Sequence, residues 1–306
     1  MRTLVTGASG FSGSIVAQTL ARAGFEVVGV YRRDTRFLAA LIGHARIRLI
    51  RADIVDAGTF PGPFDAVVHA AATPPGPDVS VARMVHDNVA ATFALIDAAV
   101  RWKCRCFVFF SSMSHYGEVM QPVVDESTPI HNPDTFGMTK ILAERRLAEL
   151  SGQLPGLALR LPGILGPGAH RNWLSGVAAR LSRGEAIRAF HLDRPFNNAA
   201  HIDDVVALIV TVLQRGWDGF DAVVMGARGM TTVRAAIERL ARGLDVLLRI
   251  EPVAPAKASF VLSCERAMAE YGYDPMSIDD IIDRYALDVV EASGGRLVAP
   301  LTLREG

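Results

Sequence analysis

The sequence of 306 residues is poor in the features that mark secreted, metal-binding and membrane proteins. It has only three cysteines, Cys104, Cys106 and Cys264, which are too few and wrongly spaced for a zinc site. Its run VVALIVTVL at 205–213 is about half the ~18 residues that a membrane helix needs. The N-terminus leads straight into a glycine-rich loop, without the apolar segment and cleavage site of a signal peptide. We therefore expect a cytoplasmic protein with reduced thiols, no metal site and no membrane contact.

An excess of charge of either sign is also absent. Lys+Arg and Asp+Glu are equal at 32 each, which gives no support to nucleic-acid or membrane-surface binding. Half of the residues are hydrophobic and 21% are charged, as in a globular protein with a substantial core. The length allows one large domain or two modest ones.

Short apolar, β-branched runs alternate with helical patterns in the first half of the chain. The runs read as strands are RTLVT (2–6), EVVGV (26–30), IRLI (47–50), AVVH (66–69), FVFF (107–110) and LALRL (157–161). The stretches between them include SGSIVAQTLARAG, residues 82–101 and TKILAERRLAEL, which carry apolar residues at helical spacing. This alternation predicts a doubly wound α/β fold with a parallel sheet covered on both faces. The segments 162–195 and 226–306 are less regular and predict smaller helical and strand pieces over one end of the sheet.

The stretch GASGFSG at 7–13 follows the first predicted strand and opens a helix. Gly7 suits a tight turn, Gly10 lets backbone approach a pyrophosphate, and Gly13 lets the helix pack close to the strand. The helix N-terminus, beginning near Phe11, would present free N–H groups to the phosphates. A glycine-rich loop alone is weak evidence, but its place between strand and helix predicts dinucleotide binding.

The second strand ends in VYRRD, where NAD-binding proteins usually carry an acid for the ribose 2′-hydroxyl. That position is Tyr31, and Arg32 and Arg33 follow it. The arginines could be ordinary solvated surface charge. Because they follow the strand end directly, we predict that NADP(H) is favoured over NAD(H).

The third and fourth strands also end in residues suited to a cofactor. RADI (51–54) offers Asp53 as an acceptor for the adenine amino group, with Ile54 beside it. HAAAT (69–73) supplies Ala70 and Ala71, which are small enough for backbone to line a cofactor. We interpret His69 as a packed histidine rather than a catalyst.

Further motifs follow in a recognisable order. They are the HAAA stretch, Asn88 in DNVAAT, SSMSHYG, the lysine of FGMTK, RLPGILGPG, HIDDV and YGYDP. From Thr6 to about Ile282 the chain resembles the extended short-chain dehydrogenase/reductase family, the NAD(P)-dependent epimerase/dehydratases, in its nucleotide-sugar branch. The resemblance implies a Rossmann domain of residues 1–161 and 196–225 with a discontinuous substrate-binding lobe of 162–195 and 226–306. It also implies a homodimer formed through the helices of residues 82–101 and 137–150.

The active centre implied by the resemblance has an unusual member. The family's serine falls on Ser112 and its lysine on Lys140, which would also hold the nicotinamide ribose, whereas its acid/base tyrosine falls on Phe136. A phenyl ring has no proton to exchange, and loss of a positioned acid or base typically lowers a rate by ~10²–10⁴. Three explanations stay open: a deliberate tyrosine-to-phenylalanine change, a natural variant in which Tyr116 or His115 moves the proton, and a protein that binds without turnover.

The same resemblance assigns further residues to the ligands. Pro162 would contact the cofactor, and the substrate residues would be Ser112, Met113, Ser114, Tyr116, Asn172, Arg194 and Asn197. Nucleotide-sugar enzymes usually carry a diphosphate-binding arginine where this chain has Asn197, and Arg194 is nearby. We therefore predict an NADP-dependent epimerase, dehydratase or reductase of a nucleotide-diphosphate sugar. The alternatives are a non-catalytic NADP-binding sensor or scaffold and a reductase of a non-nucleotide carbonyl compound.

Overall fold

The computed structural model describes residues 1–216 and 218–293. Its centre is a sheet of seven strands: β1 (Arg2–Thr6), β2 (Glu26–Tyr31), β3 (Ile47–Arg51), β4 (Ala66–His69), β5 (Cys106–Ser112), β6 (Gly156–Leu161) and β7 (Phe220–Val224). All neighbouring strands are parallel, in the spatial order β7-β6-β5-β4-β1-β2-β3. The chain therefore reverses its direction of winding between β1 and β4, as in a doubly wound Rossmann fold.

The first six strands confirm the predicted ones to within a few residues at their ends. The seventh, β7, was not predicted. It is a five-residue edge strand that, within the described residues, pairs only with β6, and two of its five residues are half-buried. Such a short strand gives a weak sequence signal, since it becomes regular only by pairing with a neighbour distant in sequence.

Helices pack on both faces of this sheet and beside it. They are α1 (Phe11–Arg22), α2 (Val81–Val85), α3 (Ala91–Arg101), α4 (Thr135–Glu149), α5 (Trp173–Leu181), α6 (Ile202–Arg215), α7 (Val233–Gly243), α8 (Glu265–Tyr271) and α9 (Ile278–Ala292). Because side chains alternate along a strand, Val5 packs with α1 and α6 on one face and Leu4 packs with α3 and α4 on the other. No helix of the described residues combines the length and the apolar character needed to cross a bilayer.

A second core lies beside the sheet, formed by α5, α7 and α9. Short paired strands accompany it: Gly163–Leu165 with Ala199–His201, Ile187–Ala189 with Ile250–Pro252, Pro195–Phe196 with Thr231–Thr232, and Val123–Val124 with Val261–Leu262. This core takes its residues mainly from the two segments that the sequence assigns to the substrate lobe. The division into two units stays a prediction, and residues 294–306 of the expected lobe lie outside the described residues.

Candidate functional site

The glycine-rich loop joins β1 to α1 in a conformation that side chains would block. Gly7 has a φ of +73°, and a Cβ there would lie 3.0 Å from backbone atoms of Ala71. A Cβ at Gly13 would overlap the carbonyl group of Gly7. Gly10 is the N-cap of α1 and provides no side-chain acceptor for the N–H groups of the first turn. This close approach of two backbones beside a helix N-terminus fits the pyrophosphate of a dinucleotide.

A cleft of 790 Å³ lies above this loop, at the carboxyl ends of β1 and β4. This is the point where the winding of the sheet reverses, which is the usual ligand position in such folds. The cleft is lined by nearly all the cofactor residues expected from the sequence: Gly7, Gly10, Phe11, Gly13, Arg32, Arg33, Asp53, Ile54, Ala70 and Ala71. Pro162 and Lys140, the other two expected, are not among its lining residues.

The two arginines after β2 have different surroundings. Arg32 donates two hydrogen bonds to Asp87, at 3.0 and 2.8 Å, and one of 3.4 Å to Asp53. The hydrogen bonds from Arg32 hold the pKa of Asp87 well below its usual range. Arg33 is exposed and lines the cleft, and within the described residues it has no ion pair.

A π-helical turn at His86–Ala90 connects α2 to α3 and supports the loop after β4. Its Asn88 accepts from the backbone N–H of Thr73 at 2.7 Å and donates to the Thr73 carbonyl at 2.9 Å. His69 is enclosed below this loop, with its ring nitrogens 2.6 Å from Thr6 Oγ1 and 2.8 Å from Thr92 Oγ1. Burial lowers the pKa of His69 to about 3, so it is a neutral structural residue, as the sequence predicted.

The residues of the expected active centre lie at the end of β5 and the start of α4. Ser112 is the N-cap of a 3₁₀ turn at Met113–Tyr116, where its hydroxyl accepts from the backbone N–H of Ser114 at 3.1 Å. The start of α4 packs directly on this turn, since a Cβ at Gly137 would overlap the Ser114 carbonyl. The serine turn and Phe136 are therefore held together by backbone contact.

Lys140 lies one turn of α4 beyond Phe136 and is buried. Its Nζ donates to the Phe110 carbonyl at 2.7 Å and lies 4.7 Å from the Phe109 ring centroid and 5.3 Å from the Phe136 ring centroid. Desolvation lowers the pKa of Lys140 to about 8, and the charge of Glu144 opposes this shift. The ammonium group is thus held between two aromatic rings, with a reduced affinity for its proton.

Tyr116 and His115 do not face the cleft. The Tyr116 side chain has no exposed surface, and its hydroxyl accepts from Arg160 at 2.8 Å. Arg160 also donates to Glu144 at 2.8 Å, and Glu144 accepts from Ser111 at 2.5 Å. Burial raises the pKa of Tyr116 to about 12 and lowers that of His115 to about 4. The substrate contact expected of Tyr116 stays a prediction, and in this conformation its hydroxyl is buried and paired with Arg160.

Two other expected substrate residues have structural roles instead. Asn197 is buried and exchanges two hydrogen bonds of 2.8 Å with the backbone of Leu262. Asn172 is the N-cap of α5, accepts from the Ser175 N–H at 2.8 Å and donates to the Ile164 carbonyl at 2.9 Å. These polar groups are paired within the protein, and the role of both residues as substrate ligands stays a prediction. Arg194 remains exposed, and Met113 and Ser114 are half-buried in the serine turn.

The residues that line the cleft but were not predicted as ligands include Asp87, His170 and Arg171. Asp87 directly precedes the motif residue Asn88, so its position at the cleft could have been inferred. His170 comes from the loop after β6 and stacks on Phe37, with ring centroids 6.1 Å apart. That contact joins two segments distant in sequence and leaves no local signal. Within the described residues, no group of three or more His, Cys, Asp or Glu side chains could hold a metal ion.

Comparisons with known proteins agree with this geometry. The sequence model of the NAD dependent epimerase/dehydratase family matches residues 3–231. The UDP-glucose 4-epimerase of Streptomyces lividans is 28% identical over 305 residues, covering 90% of this chain and 92% of the relative. The D-erythronate dehydrogenase of Cupriavidus necator is 30% identical over 209 residues, covering 58% of this chain and 64% of the relative. The UDP-glucuronic acid 4-epimerase of Bacillus cereus, solved in complex with NAD, superposes with a TM-score of 0.84 at 21% identity, covering 97% of this chain and 98% of that one. The chain therefore belongs to the NAD dependent epimerase/dehydratase family, as its motifs predicted.

Proposed function

We propose that this protein is an NADP(H)-preferring epimerase, dehydratase or reductase of a nucleotide-diphosphate sugar, with Phe136 at the family's acid/base position. The observation that carries the proposal is the cleft at the β1–β4 reversal point with Ser112, Phe136 and Lys140 at its neighbouring strand end. The epimerases named above act on UDP-sugars, and the S. lividans enzyme aligns with this chain over nearly its full length.

Different residues of this chain would bind the pyrophosphate, donate a hydrogen bond to the substrate oxygen and place a positive charge near it. The first turn of α1 would bind the pyrophosphate through free N–H groups, and Gly7 and Gly13 would let it approach. When bound, the dinucleotide supplies hydride acceptance and donation at a substrate carbon. Ser112 would donate a hydrogen bond to the substrate oxygen. Lys140 in its protonated form would place a positive charge near that oxygen, and desolvation lowers the pKa at which this charge is lost to about 8.

Proton transfer is the step for which this chain lacks the family's tyrosine. Hydride transfer at an alcohol carbon requires a proton to leave the attached oxygen, and Phe136 offers no hydroxyl. Tyr116 is paired with Arg160 and His115 is buried, so neither supplies the missing group. We therefore propose that turnover of this chain is slow compared with its tyrosine-containing relatives.

The preference for NADP(H) is proposed to depend mainly on Arg33. Arg32 is already occupied by Asp87 and Asp53, whereas Arg33 is exposed at the same end of the cleft. Calorimetric titration with NADPH and NADH tests this: we expect NADPH to bind about tenfold more tightly, the value of roughly one charge-assisted hydrogen bond. In Arg33→Ala the two affinities should converge. Equal or stronger NADH binding by the wild-type protein would contradict the preference.

The substrate class can be tested by adding a panel of UDP- and TDP-sugars to the NADPH complex. Product analysis together with nicotinamide absorbance distinguishes epimerisation, dehydration and reduction. Tight binding of one nucleotide sugar, abolished by an excess of its nucleoside diphosphate, is the expected result. Binding without turnover would favour the sensor or scaffold alternative.

A second candidate substrate class is a small polyhydroxylated acid or its keto form. It is favoured by the self-paired state of Asn172 and Asn197, which leaves fewer groups for a diphosphate. The related D-erythronate dehydrogenase indicates that this similarity group includes such an activity. Turnover of erythronate-like acids, with no response to nucleotide sugars, would select this candidate.

We also propose that the protein is a cytoplasmic homodimer. Val81 and Val85 on α2, and Met138 and Leu142 on α4, are exposed apolar side chains four residues apart on adjacent helices. Residues at this spacing share one helix face, so the two helices present an apolar surface. A second copy of the chain would cover it.

A further inference from the structure

Asp87 lies at the centre of a hydrogen-bonding cluster at the end of the cleft beside β2, which we call the adenosine end because the adenosine ribose binds there in folds of this type. It lies in the π-helical turn, and its side chain is only 7% exposed although it lines the cleft. Both of its carboxylate oxygens accept from Arg32, and it also accepts from the Thr73 hydroxyl at 2.7 Å. Arg83 Nε lies 3.4 Å and His86 Nδ1 lies 3.2 Å from the same carboxylate.

This arrangement determines what Arg32 can offer to a ligand. A bidentate pair with a carboxylate uses the planar fork of donors with which a guanidinium also binds a phosphate. Asp53, 3.4 Å from Arg32, adds a second negative charge to the same group. A 2′-phosphate approaching Arg32 would therefore have to displace one carboxylate and approach another.

The position of the pair adds a geometric reason. Arg32 follows β2 and Asp87 follows α2, so the ion pair spans two segments that both line the adenosine end of the cleft. The 2′-position of a bound adenosine ribose lies near the end of the second strand in folds of this type. The pair thus lies where an NADP phosphate and an NAD hydroxyl differ.

We infer that Asp87 is a specificity-determining residue, which keeps Arg32 away from the 2′-group and so limits discrimination between NADP(H) and NAD(H). This inference rests on the proposed dinucleotide function. Loss of the Asp87 charge releases Arg32 to bind the 2′-phosphate. If Asp87 acted only by holding Thr73 and the loop after β4, loss of its charge would change the affinities for both dinucleotides alike.

The test is a double-mutant cycle measured by calorimetry with NADPH and NADH. The variants are Asp87→Asn, Arg32→Gln and the double variant; asparagine keeps the size of the side chain and an acceptor for Thr73. We expect Asp87→Asn to bind NADPH about tenfold more tightly and NADH within about threefold of wild type. Arg32→Gln alone should change NADPH affinity by less than about threefold, and the double variant should lose the gain of Asp87→Asn.

Two controls make the result specific. Asp34→Asn removes one nearby negative charge from an acid paired with Arg51 and not with Arg32, and it should leave the NADPH/NADH ratio within about twofold. Titration with 2′,5′-ADP and 5′-AMP repeats the comparison without the nicotinamide. Equal weakening of both ligands in Asp87→Asn, or a gain that persists in the double variant, would overturn the inference alone. Failure of the wild-type protein to bind either dinucleotide would overturn both the inference and the proposed function.

Discussion

The two ends of the candidate site use their residues in different ways. At the cofactor end, the glycines of the β1–α1 loop act through backbone shape, and the residues expected around them line one cleft. At the substrate end, Tyr116, Asn172 and Asn197 have their polar groups paired within the protein. A role that depends on backbone geometry is thus easier to infer from a motif than a role that depends on where one side chain points.

Replacement of Phe136 by tyrosine is expected to have the largest effect, because it adds the acid/base hydroxyl that the substrate end of the site lacks. The change adds one hydroxyl about one helical turn from the Lys140 ammonium group, which favours the phenolate form. The rate of the chemical step should rise by roughly 10²–10⁴, while cofactor affinity stays within a few-fold. Stopped-flow absorbance of the nicotinamide with the best nucleotide sugar measures this.

Two further variants check the explanation. The double variant Phe136→Tyr, Lys140→Ala should lose most of the gain, because no ammonium then lowers the phenol pKa. Adding Tyr116→Phe to Phe136→Tyr should preserve the gain, since the Tyr116 hydroxyl binds Arg160 away from the cleft. If the wild-type protein turns over as fast as Phe136→Tyr, the proton moves by another route.

Substitution of Gly13 by alanine should damage the cofactor end. The new Cβ would overlap the Gly7 carbonyl, so α1 or the loop must shift. Overpacking of this kind costs about 1–3 kcal/mol, which corresponds to roughly 5–150-fold weaker dinucleotide binding if the strain is borne by the bound conformation. Gly176→Ala is the matched control, because a Cβ there has no neighbour within 4 Å and Gly176 lies inside α5. Unchanged NADPH affinity in Gly13→Ala would show that the loop tolerates a side chain.

Charged residues on the α2–α4 surface should separate the proposed dimer. Val85→Asp combined with Leu142→Glu places like charges on a face that a second copy would bury. We expect a shift from dimer to monomer by light scattering at micromolar concentration, with the cofactor affinity retained. Leu247→Glu is the control, since Leu247 is 87% exposed and lies between α7 and the strand Ile250–Pro252. A wild-type protein that is already monomeric would remove the proposal.

Substitution of Asn172 distinguishes a helix-capping role from a substrate-binding role, and we expect its effect to be the smallest. As a helix cap, Asn172→Ala should lower the free energy of unfolding by ~1 kcal/mol and leave KM unchanged. As a substrate ligand, the same change would raise KM with little effect on stability. Urea unfolding and steady-state kinetics on one preparation give both numbers.

Prediction from sequence succeeded where the local pattern decides the structure. Five of the six predicted strands are apolar runs whose residues are mostly buried, and the βαβ alternation predicted that the sheet is parallel. The third, β3, is only half-buried or exposed along its length. The paired states of Asn197 and Tyr116 depend on Leu262 and Arg160, which are 65 and 44 residues away in sequence. No single-sequence pattern contains such contacts. The same holds for Asp87, whose partner Arg32 is 55 residues distant.

The π-helical turn at His86–Ala90 makes the cleft sensitive to the length of this segment. A wide turn accommodates about one residue more than an α-helix would, and one residue corresponds to about 100° of rotation around the helix axis. The buried side chains Met84, Asn88, Ala91 and Leu95 follow one another at spacings of three or four residues, so the segment turns one continuous face to the interior through the turn. Deleting one residue here would convert the turn to regular α-helix and rotate Asp87 and Asn88 away from Arg32 and Thr73. Among relatives of this chain, gaps between 86 and 90 should therefore be far rarer than gaps in the loops on either side.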